Sequence, residues 1–302
     1  MKNVGAVLVT YNRLALLKES VAAILSQTHP VNELIIVNNN STDGTADFLE
    51  SLQASQNNIT IVSTTENIGG AGGFSLGMNS AIQNRTNDFL WVMDDDTIPK
   101  ADALEKLINP FADQIVGDGF TCSNVRWTDG GAAVMNIPYI VGQWNNLADK
   151  GLVAVKAASF VSLLVPIKTV KKLGLPIKEF FVWGDDYEFT VRISEKYDCY
   201  CVTDSIVIHK MTANHGVDIV SDSEGRIPRY YYSYRNSIYT ESHHGGFHGL
   251  FTQLLRDVYA IYKVIRHSPN KRMKRINIIL KGMFAGFVFR PHITFPDQKG
   301  NS

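Results

Sequence analysis

Three cysteines, Cys122, Cys199 and Cys201, stand in a chain of 302 residues. They are too few for a disulfide framework and lack zinc-site spacing, so a reducing compartment, the cytoplasm, is expected. Charge of either sign is in no excess: 29 Lys and Arg meet 29 Asp and Glu. Nothing global therefore argues for a nucleic-acid partner. Long apolar runs are missing too. The best candidate, 276–289, is broken by Asn277, Lys281 and two glycines, and a bilayer-spanning helix needs about 20 apolar residues. The first residues enter a strand pattern directly, which argues against a signal peptide. No internal repeat or long low-complexity segment is visible.

One shortage is local. Between Val258 and Arg290 there is no Asp or Glu, while Lys263, Arg266, Lys271, Arg272, Lys274 and Arg275 are followed by Lys281 and Arg290. Apolar residues such as Ile279, Phe284 and Phe287 are interleaved with them. Basic plus apolar, without a spanning length, points to attachment at an anionic membrane surface. The plainer alternative is an amphipathic helix packed on the protein with a solvated basic face.

What the chain does have is a core-forming composition, 45% hydrophobic, and a regular opening rhythm. Val4 to Val9, Leu34 to Val37, Ile59 to Val62 and Phe89 to Met93 read as short apolar strands. Leu17, Val21, Ile24 and Leu25, then Phe48, Leu49 and Leu52, then Leu76, Met78, Ala81 and Ile82, follow helical spacing. Strands alternating with helices predict an α/β fold with a mostly parallel sheet, whose strand-end loops share one edge. Ala101 to Ile108 predicts a further helix. Residues 117–151 read as irregular loops and short strands, 157–166 as one strand, 170–173 as a short helix, and 199–208 as a strand ending in His209. Tyr230 opens a helical stretch. His243, His244 and His248, with Gly245 and Gly246 among them, read as a loop.

Two acidic clusters carry the chemistry. Phe89-Leu90-Trp91-Val92-Met93 ends abruptly in Asp94-Asp95-Asp96. Three adjacent carboxylates at a strand end repel one another unless a cation or donors compensate, and Mg²⁺ or Mn²⁺ commonly links such carboxylates to phosphates. The alternative is a solvated turn whose Asp95 or Asp96 caps the next helix. Phe180-Phe181-Val182-Trp183-Gly184 likewise ends in Asp185-Asp186. A capping role competes there with a general base. His209 is a candidate third metal ligand, with His215 as a competitor. Arg235 suits an oxyanion or the acceptor, against a buried ion pair. Gly69, Gly70, Gly72 and Gly73 would let backbone N–H groups approach a phosphate or sugar; the alternative is a tightly packed turn. Ser75 spoils a dinucleotide fingerprint.

In order along the chain, Thr10-Tyr11-Asn12-Arg13, Asn38-Asn39-Asn40-Ser41-Thr42-Asp43-Gly44, Glu66-Asn67-Ile68-Gly69-Gly70, Asp94-Asp95-Asp96 and Gly184-Asp185-Asp186-Tyr187-Glu188-Phe189 resemble glycosyltransferase family 2, the inverting nucleotide-sugar transferases of GT-A fold. The segments 69–74, 181–186 and 231–236 look most like bacterial galactofuranosyltransferases, and the last also like rhamnosyltransferases. The resemblance implies a donor of UDP-galactofuranose, with dTDP-rhamnose as runner-up, and a cell-surface polysaccharide or polyprenyl-linked glycan acceptor, as in O-antigen synthesis. It implies Thr10, Tyr11 and Arg13 beside the nucleotide, Asn38 or Asn39 near the base, and Asp94 near the ribose. Asp96, Asp94 and His209 would hold Mn²⁺ or Mg²⁺, with Asp95 serving either way. Asp186 would be the general base and Asp185 would position a sugar hydroxyl. Asn67, the four glycines, Trp183 and Arg235 complete the expected substrate-binding set.

The expected organisation is a catalytic domain over 1–236 and a helical basic and apolar appendage over 237–302, working in the cytoplasm at the inner face of the plasma membrane. Competing classes are a non-catalytic nucleotide-sugar-binding module and a dehydrogenase. A retaining glycosidase would also use two carboxylates, without needing the nucleotide-type loops.

Overall fold

The computed structural model describes residues 2–83 and 86–296. Val4–Thr10 forms β1 and Glu33–Asn38 forms β2, both almost wholly buried. Their unbroken apolar character follows from cover on both faces. Val7, Val9, Ile35 and Val37 face Phe74 and Met78 of α3 (Gly69–Gln83). Ala6, Leu8, Leu34 and Ile36 face Leu17, Val21 and Ile24 of α1 (Leu14–Leu25). α2 (Thr45–Ser55) leads to β3 (Ile59–Ser63), and α3 leads to β4 (Phe89–Asp94). These four strands pair in parallel in the order β3-β2-β1-β4, so the loops after them meet at one edge.

β5 (Thr97–Pro99) and α4 (Ala103–Ala112) follow, then β6 (Thr121–Arg126), β7 (Tyr139–Ile140), β8 (Leu152–Ala157) and β9 (Leu163–Pro166). After α5 (Ile167–Leu173) and α6 (Asp185–Ser194) comes β10 (Tyr200–His209). Among the described residues the sheet has ten strands, continuing from β4 as β9-β6-β10-β8-β7, with β5 on β10. β9 runs antiparallel to both β4 and β6, while β10 runs parallel to β6. β10 therefore points the same way as β4, and His209 ends at the edge where Asp94 ends. The expected α/β class and mostly parallel sheet hold.

Two local expectations need correcting and a third gains detail. β6 is one of the short strands expected within 117–151, and it is a central one. It hides because two of its buried side chains are polar and satisfied internally: Thr121 Oγ1 donates to Leu107 O (3.0 Å), and Ser123 Oγ meets Ser162 Oγ (2.7 Å) and Ser205 Oγ (2.8 Å). The single strand expected over 157–166 is the end of β8 and all of β9, parted by a turn in which Ser162 has φ +67°. His243 and His244 close a helix, α7 (Tyr230–His244), and His248 lies in the next, α8 (Gly246–His267). The glycine pair interrupts the two helices rather than forming a loop.

α9 (Arg272–Val288) packs on α7 at short range. A Cβ on Gly282 would meet Tyr231 O at 2.7 Å, and one on Gly286 would meet Ile238 Cβ at 2.6 Å. α7 runs straight through the expected boundary at residue 236, and residues 297–302 of that expected appendage lie outside the described residues. The tail after α9 returns to earlier elements: Leu175 N–H, just past α5, donates to Thr294 O (2.8 Å) and Gln83 Nε2 of α3 to Pro296 O (3.1 Å). No helix among the described residues is long and apolar enough to cross a membrane.

Candidate active site

The loops after β1 and β2 are built as one unit. Asn12, at φ +54°, turns the chain out of β1. Its Oδ1 accepts Thr42 N–H (2.7 Å) and its N–H donates to Ser41 Oγ (3.0 Å). Asp43 accepts Leu14 N–H (3.0 Å) at the start of α1 and Thr45 N–H (3.3 Å) at the start of α2. One carboxylate thus serves the orphan donors of two helices. Tyr11 is exposed at the lip of this assembly and Arg13 reaches inward from it.

Arg13 reaches the acidic triplet. Asp95 and Asp96 are only 5% and 4% exposed, and α4 starts well beyond them, so a solvated capping turn is ruled out. Thr10 Oγ1 donates to Asp95 (2.7 Å), and Arg13 pairs with Asp95 (3.5 Å) and closely with Asp96. His209 Nε2 stands 2.9 Å from the other Asp96 oxygen, and its Nδ1 donates to Asn136 Oδ1 (2.7 Å). Ligand atoms of Asp94, Asp96 and His209 all lie within 4.8 Å of one another. Their titration shows the crowding. Burial and the neighbouring Asp96 push Asp94 up to about 8. Burial lifts Asp95 to about 6, against the pull of Arg13. Asp96 is held below the usual carboxylate range, because the bonds and charges of His209 and Arg13 outweigh its burial. His209, buried though it is, is raised by Asp96. Two carboxylates and an imidazole with surplus negative charge fit a hard divalent cation such as Mn²⁺ or Mg²⁺.

The second acid pair sits at the start of α6. The loop ahead of it is strained: Phe181 and Trp183 have φ +65° and +64°, and Gly184 has φ +89°. Bulky residues occupy that region only when surroundings insist. Here Asn236 of α7 donates to Phe180 O (3.0 Å) and Trp183 O (2.8 Å), and Ala71 N–H at the start of α3 donates to Phe181 O (3.2 Å). Asp185 and Asp186 then fall in the first turn of α6, where the helix dipole favours them. Asp186 Oδ1 accepts Tyr187 N–H (2.7 Å), and its carboxylate also receives the backbone N–H of Phe160. That contact locates it. β9 pairs Leu163 with Val92 antiparallel, so the chain just before Leu163 runs beyond the carboxyl end of β4, alongside Asp94. Burial lifts Asp186 to about 6, opposed by those backbone donors. Burial, then the Asp186 charge, lifts Asp185 to about 8. Glu188 is occupied elsewhere, in a buried pair with Arg192 (2.9 Å) and His244.

Several expected binding residues are spent on structure. Arg235 does not stand free for an oxyanion, and it pairs with no acid among the described residues: its guanidinium donates to Asn236 Oδ1 (2.9 Å) and Glu179 O (2.6 Å) and lies over the Phe289 ring at 3.9 Å. Asn39 and Asn67 bond to each other (3.0 Å), and Asn67 Oδ1 also takes Gly69 N–H (2.9 Å). Asn38 Oδ1 accepts Ser41 N–H (3.0 Å). The glycine run is the first turns of α3 rather than a phosphate loop. A Cβ on Gly73 would strike Val9 at 2.6 Å and one on Gly69 the Phe181 carbonyl at 2.0 Å, whereas Gly70 has open space. Trp183 packs edge-on to Tyr230 at 5.1 Å. His215 is exposed and bonds locally to Gly216 O (3.2 Å). Sequence reasoning missed Asn12, Asp43 and Asn136. Asn12 and Asp43 lay within polar turns already marked. Asn136, 73 positions from His209, gave no signal.

With this geometry in view, the comparisons with known proteins are specific. The model of glycosyl transferase family 2 matches residues 6–158. A putative teichuronic acid biosynthesis glycosyltransferase, TuaG of Bacillus subtilis, is 30% identical over 127 residues, 42% of this chain and 49% of that protein. The galactofuranosyltransferase GlfT1 of Mycolicibacterium smegmatis is 38% identical over 96 residues, 32% and 30% of the two chains. The chain thus spans about half or less of the length of these curated relatives. Among solved structures, GalNAc-T7 with UDP, GalNAc and Mn²⁺ aligns over 89% of this chain and 58% of its own, with TM-score 0.61 and 14% identity. TarS of S. aureus aligns over 96% and 44%, with TM-score 0.54 and 15% identity. At such identities the structural likeness speaks for the fold alone, which is GT-A.

Proposed function

The chain belongs to glycosyl transferase family 2, and on that premise we propose an inverting, metal-dependent transfer of galactofuranose from UDP-galactofuranose to a hydroxyl of a cell-surface or lipid-linked glycan. The galactofuranose preference is supported by the likeness to GlfT1 and by the motifs at 69–74 and 181–186; dTDP-rhamnose is the runner-up donor. A cytoplasmic setting fits three buried free thiols.

The observation that carries this reading is the gathering of Asp94, Asp96 and His209 within 4.8 Å, and the Phe160 contact of Asp186 supports a place for that base at the same edge. Those three residues would hold Mn²⁺ or Mg²⁺, and a bound cation supplies Lewis-acid neutralisation of the departing diphosphate. Thr10 and Arg13 hold Asp95 and Asp96 in place, with Arg13 adding fixed positive charge at the same edge. Asp186 takes the acceptor proton while the acceptor oxygen bonds to the anomeric carbon and the bond to the diphosphate breaks. The acid pair is suited to divided roles, one member ionised from about 6 and the other protonated up to about 8. The protonated Asp185 then offers an O–H to a sugar hydroxyl. A pure nucleotide-sugar binder has no use for such a base.

The test is a pair of variants. Asp186→Asn is expected to lower transfer by a factor of about 10³ or more with UDP affinity unchanged. Asp96→Ala is expected to weaken UDP binding in Mn²⁺. Retained turnover in the first, or UDP affinity indifferent to both EDTA and the second, would reject the assignment.

A further inference from the structure

α8 and α9 turn apolar stripes outward. On α8, Phe247, Phe251, Leu255, Val258, Tyr262 and Ile265 recur every three or four residues and all are exposed, Phe247 by 80%. On α9, Met273 (77%), Leu280, Phe284 (70%), Phe287 and Val288 are exposed on one side. These are not the stripes that join the helices to the protein. α9 is buried along Arg275, Ile279, Gly282 and Gly286, which at 100° per residue lie on the opposite side from Met273, Leu280 and Phe284. α8 turns Asp257 and Val264 inward, and the two helices meet around Val264, Ile276 and Ile279. An uncovered apolar surface of this extent marks an interaction site.

Charge chooses the occupant. Lys263, Arg266, Arg272, Lys281 and Arg290 accompany the stripes, and no carboxylate occurs between Val258 and Arg290. A second copy related by a two-fold axis would set these positive rims against each other, whereas anionic lipid headgroups would neutralise them. We propose that α8 and α9 together form a membrane-binding face, which lays its aromatic and aliphatic side chains at the headgroup–acyl boundary of an anionic bilayer. The basic charge is not all equivalent. Lys271 and Lys274 share Glu224 (3.5 and 3.4 Å). Arg275, basic by sequence, is an interior brace: it donates to Ile219 O (2.5 Å), Asp222 O (2.9 Å) and Asn270 Oδ1 (2.8 Å). The lipid contact rests on Arg266, Arg272, Lys281 and Arg290 and on the apolar stripes. The face is independent of the glycosyl-transfer reading. Taken with it, α7 ties the face to the acid pair, because it carries Gly282's and Gly286's contacts on one side and Asn236 on the other.

The experiment is co-sedimentation of the full chain with phosphatidylglycerol–phosphatidylcholine vesicles and with phosphatidylcholine alone. Binding is expected only with phosphatidylglycerol, and Phe251→Glu combined with Phe284→Glu is expected to lower it roughly tenfold or more, with the circular dichroism melt unchanged. Should that pair unfold the protein, Phe284→Trp serves instead, its emission shifting to the blue on phosphatidylglycerol vesicles. Sedimentation indifferent to the double variant, or no blue shift, would overturn the proposal. So would a dimer in analytical ultracentrifugation that the same double variant splits, since that result assigns the face to a second copy.

Discussion

Asp186 is an ordinary first-turn helix residue by position and an unusual one by environment. Burial moves it to about 6, while backbone N–H groups, that of Tyr187 first among them, keep it from rising further. A base must be ionised to work, and its ionised fraction falls about tenfold for each pH unit below its pKa. We therefore expect kcat/KM to climb as pH rises through about 6 and to level off near neutrality. Measured pH–rate profiles with saturating Mn²⁺ would check this; activity flat from pH 5 to 7 would remove Asp186 from that role. At this scale the sequence was readable where chemistry and position coincide. Asp94 and His209 each close a strand and Asp96 lies in the turn just past β4, and strand ends of one direction converge. It was unreadable where a side chain had two outlets for its donors. Arg235 and Asn39 carry the groups that would grip a ligand, but carbonyls and amides of neighbouring loops take those groups first. Nothing in spacing forecasts which partner wins.

The glycines of α3 show the same limit for an element. Four glycines near a strand end suit a phosphate loop, yet most of them answer to packing. Gly69 has φ +75°, and a Cβ there would sit 2.0 Å from Phe181 O, so a side chain would push away the strained loop that delivers Asp185 and Asp186. Gly70, one residue on, meets nothing within 4 Å. The two positions therefore make a matched pair. Gly69→Ala is expected to cost about 2 kcal/mol or more in urea unfolding and to depress turnover. Gly70→Ala is expected to be neutral or stabilising by up to about 1 kcal/mol, since alanine favours the helix, with UDP affinity intact. Loss of UDP binding in Gly70→Ala alone would restore the phosphate-loop reading. The opening strands were legible because cover on both faces demands continuous apolar runs. β6 was not, because its core side of hydroxyl groups pairs with Ser162, Ser205 and Leu107, and hydroxyls satisfied by tertiary partners look like loop residues in isolation.

For the whole molecule, the sequence suggested a catalytic part and an appendage, divided at residue 236 where the charge pattern changes. Composition marks that change, but the bonds cross it. Asn236 grips the acid loop, α9 closes on α7 through two glycines, and the tail returns to α3 and to the segment just past α5. Segments tied in this way should unfold together. The acidic triplet then gives a handle on that unit. Arg13 and His209 are the cations that touch it, and Asp94 is pushed up to about 8 by burial and by Asp96, so a divalent cation with its diphosphate relieves a standing electrostatic cost of the folded state. Ligand that binds only the folded form stabilises it by about 2.7 kcal/mol at a hundred times its Kd. The expected outcome is one thermal transition, monitored by far-ultraviolet circular dichroism, that UDP with Mn²⁺ raises as a whole. UDP with EDTA should raise it little, and Asp96→Ala should abolish the effect. Two transitions, with only the one carrying the sheet responding to ligand, would show instead that α8 and α9 fold as a separate body and that the ties through α7 are too weak to couple them.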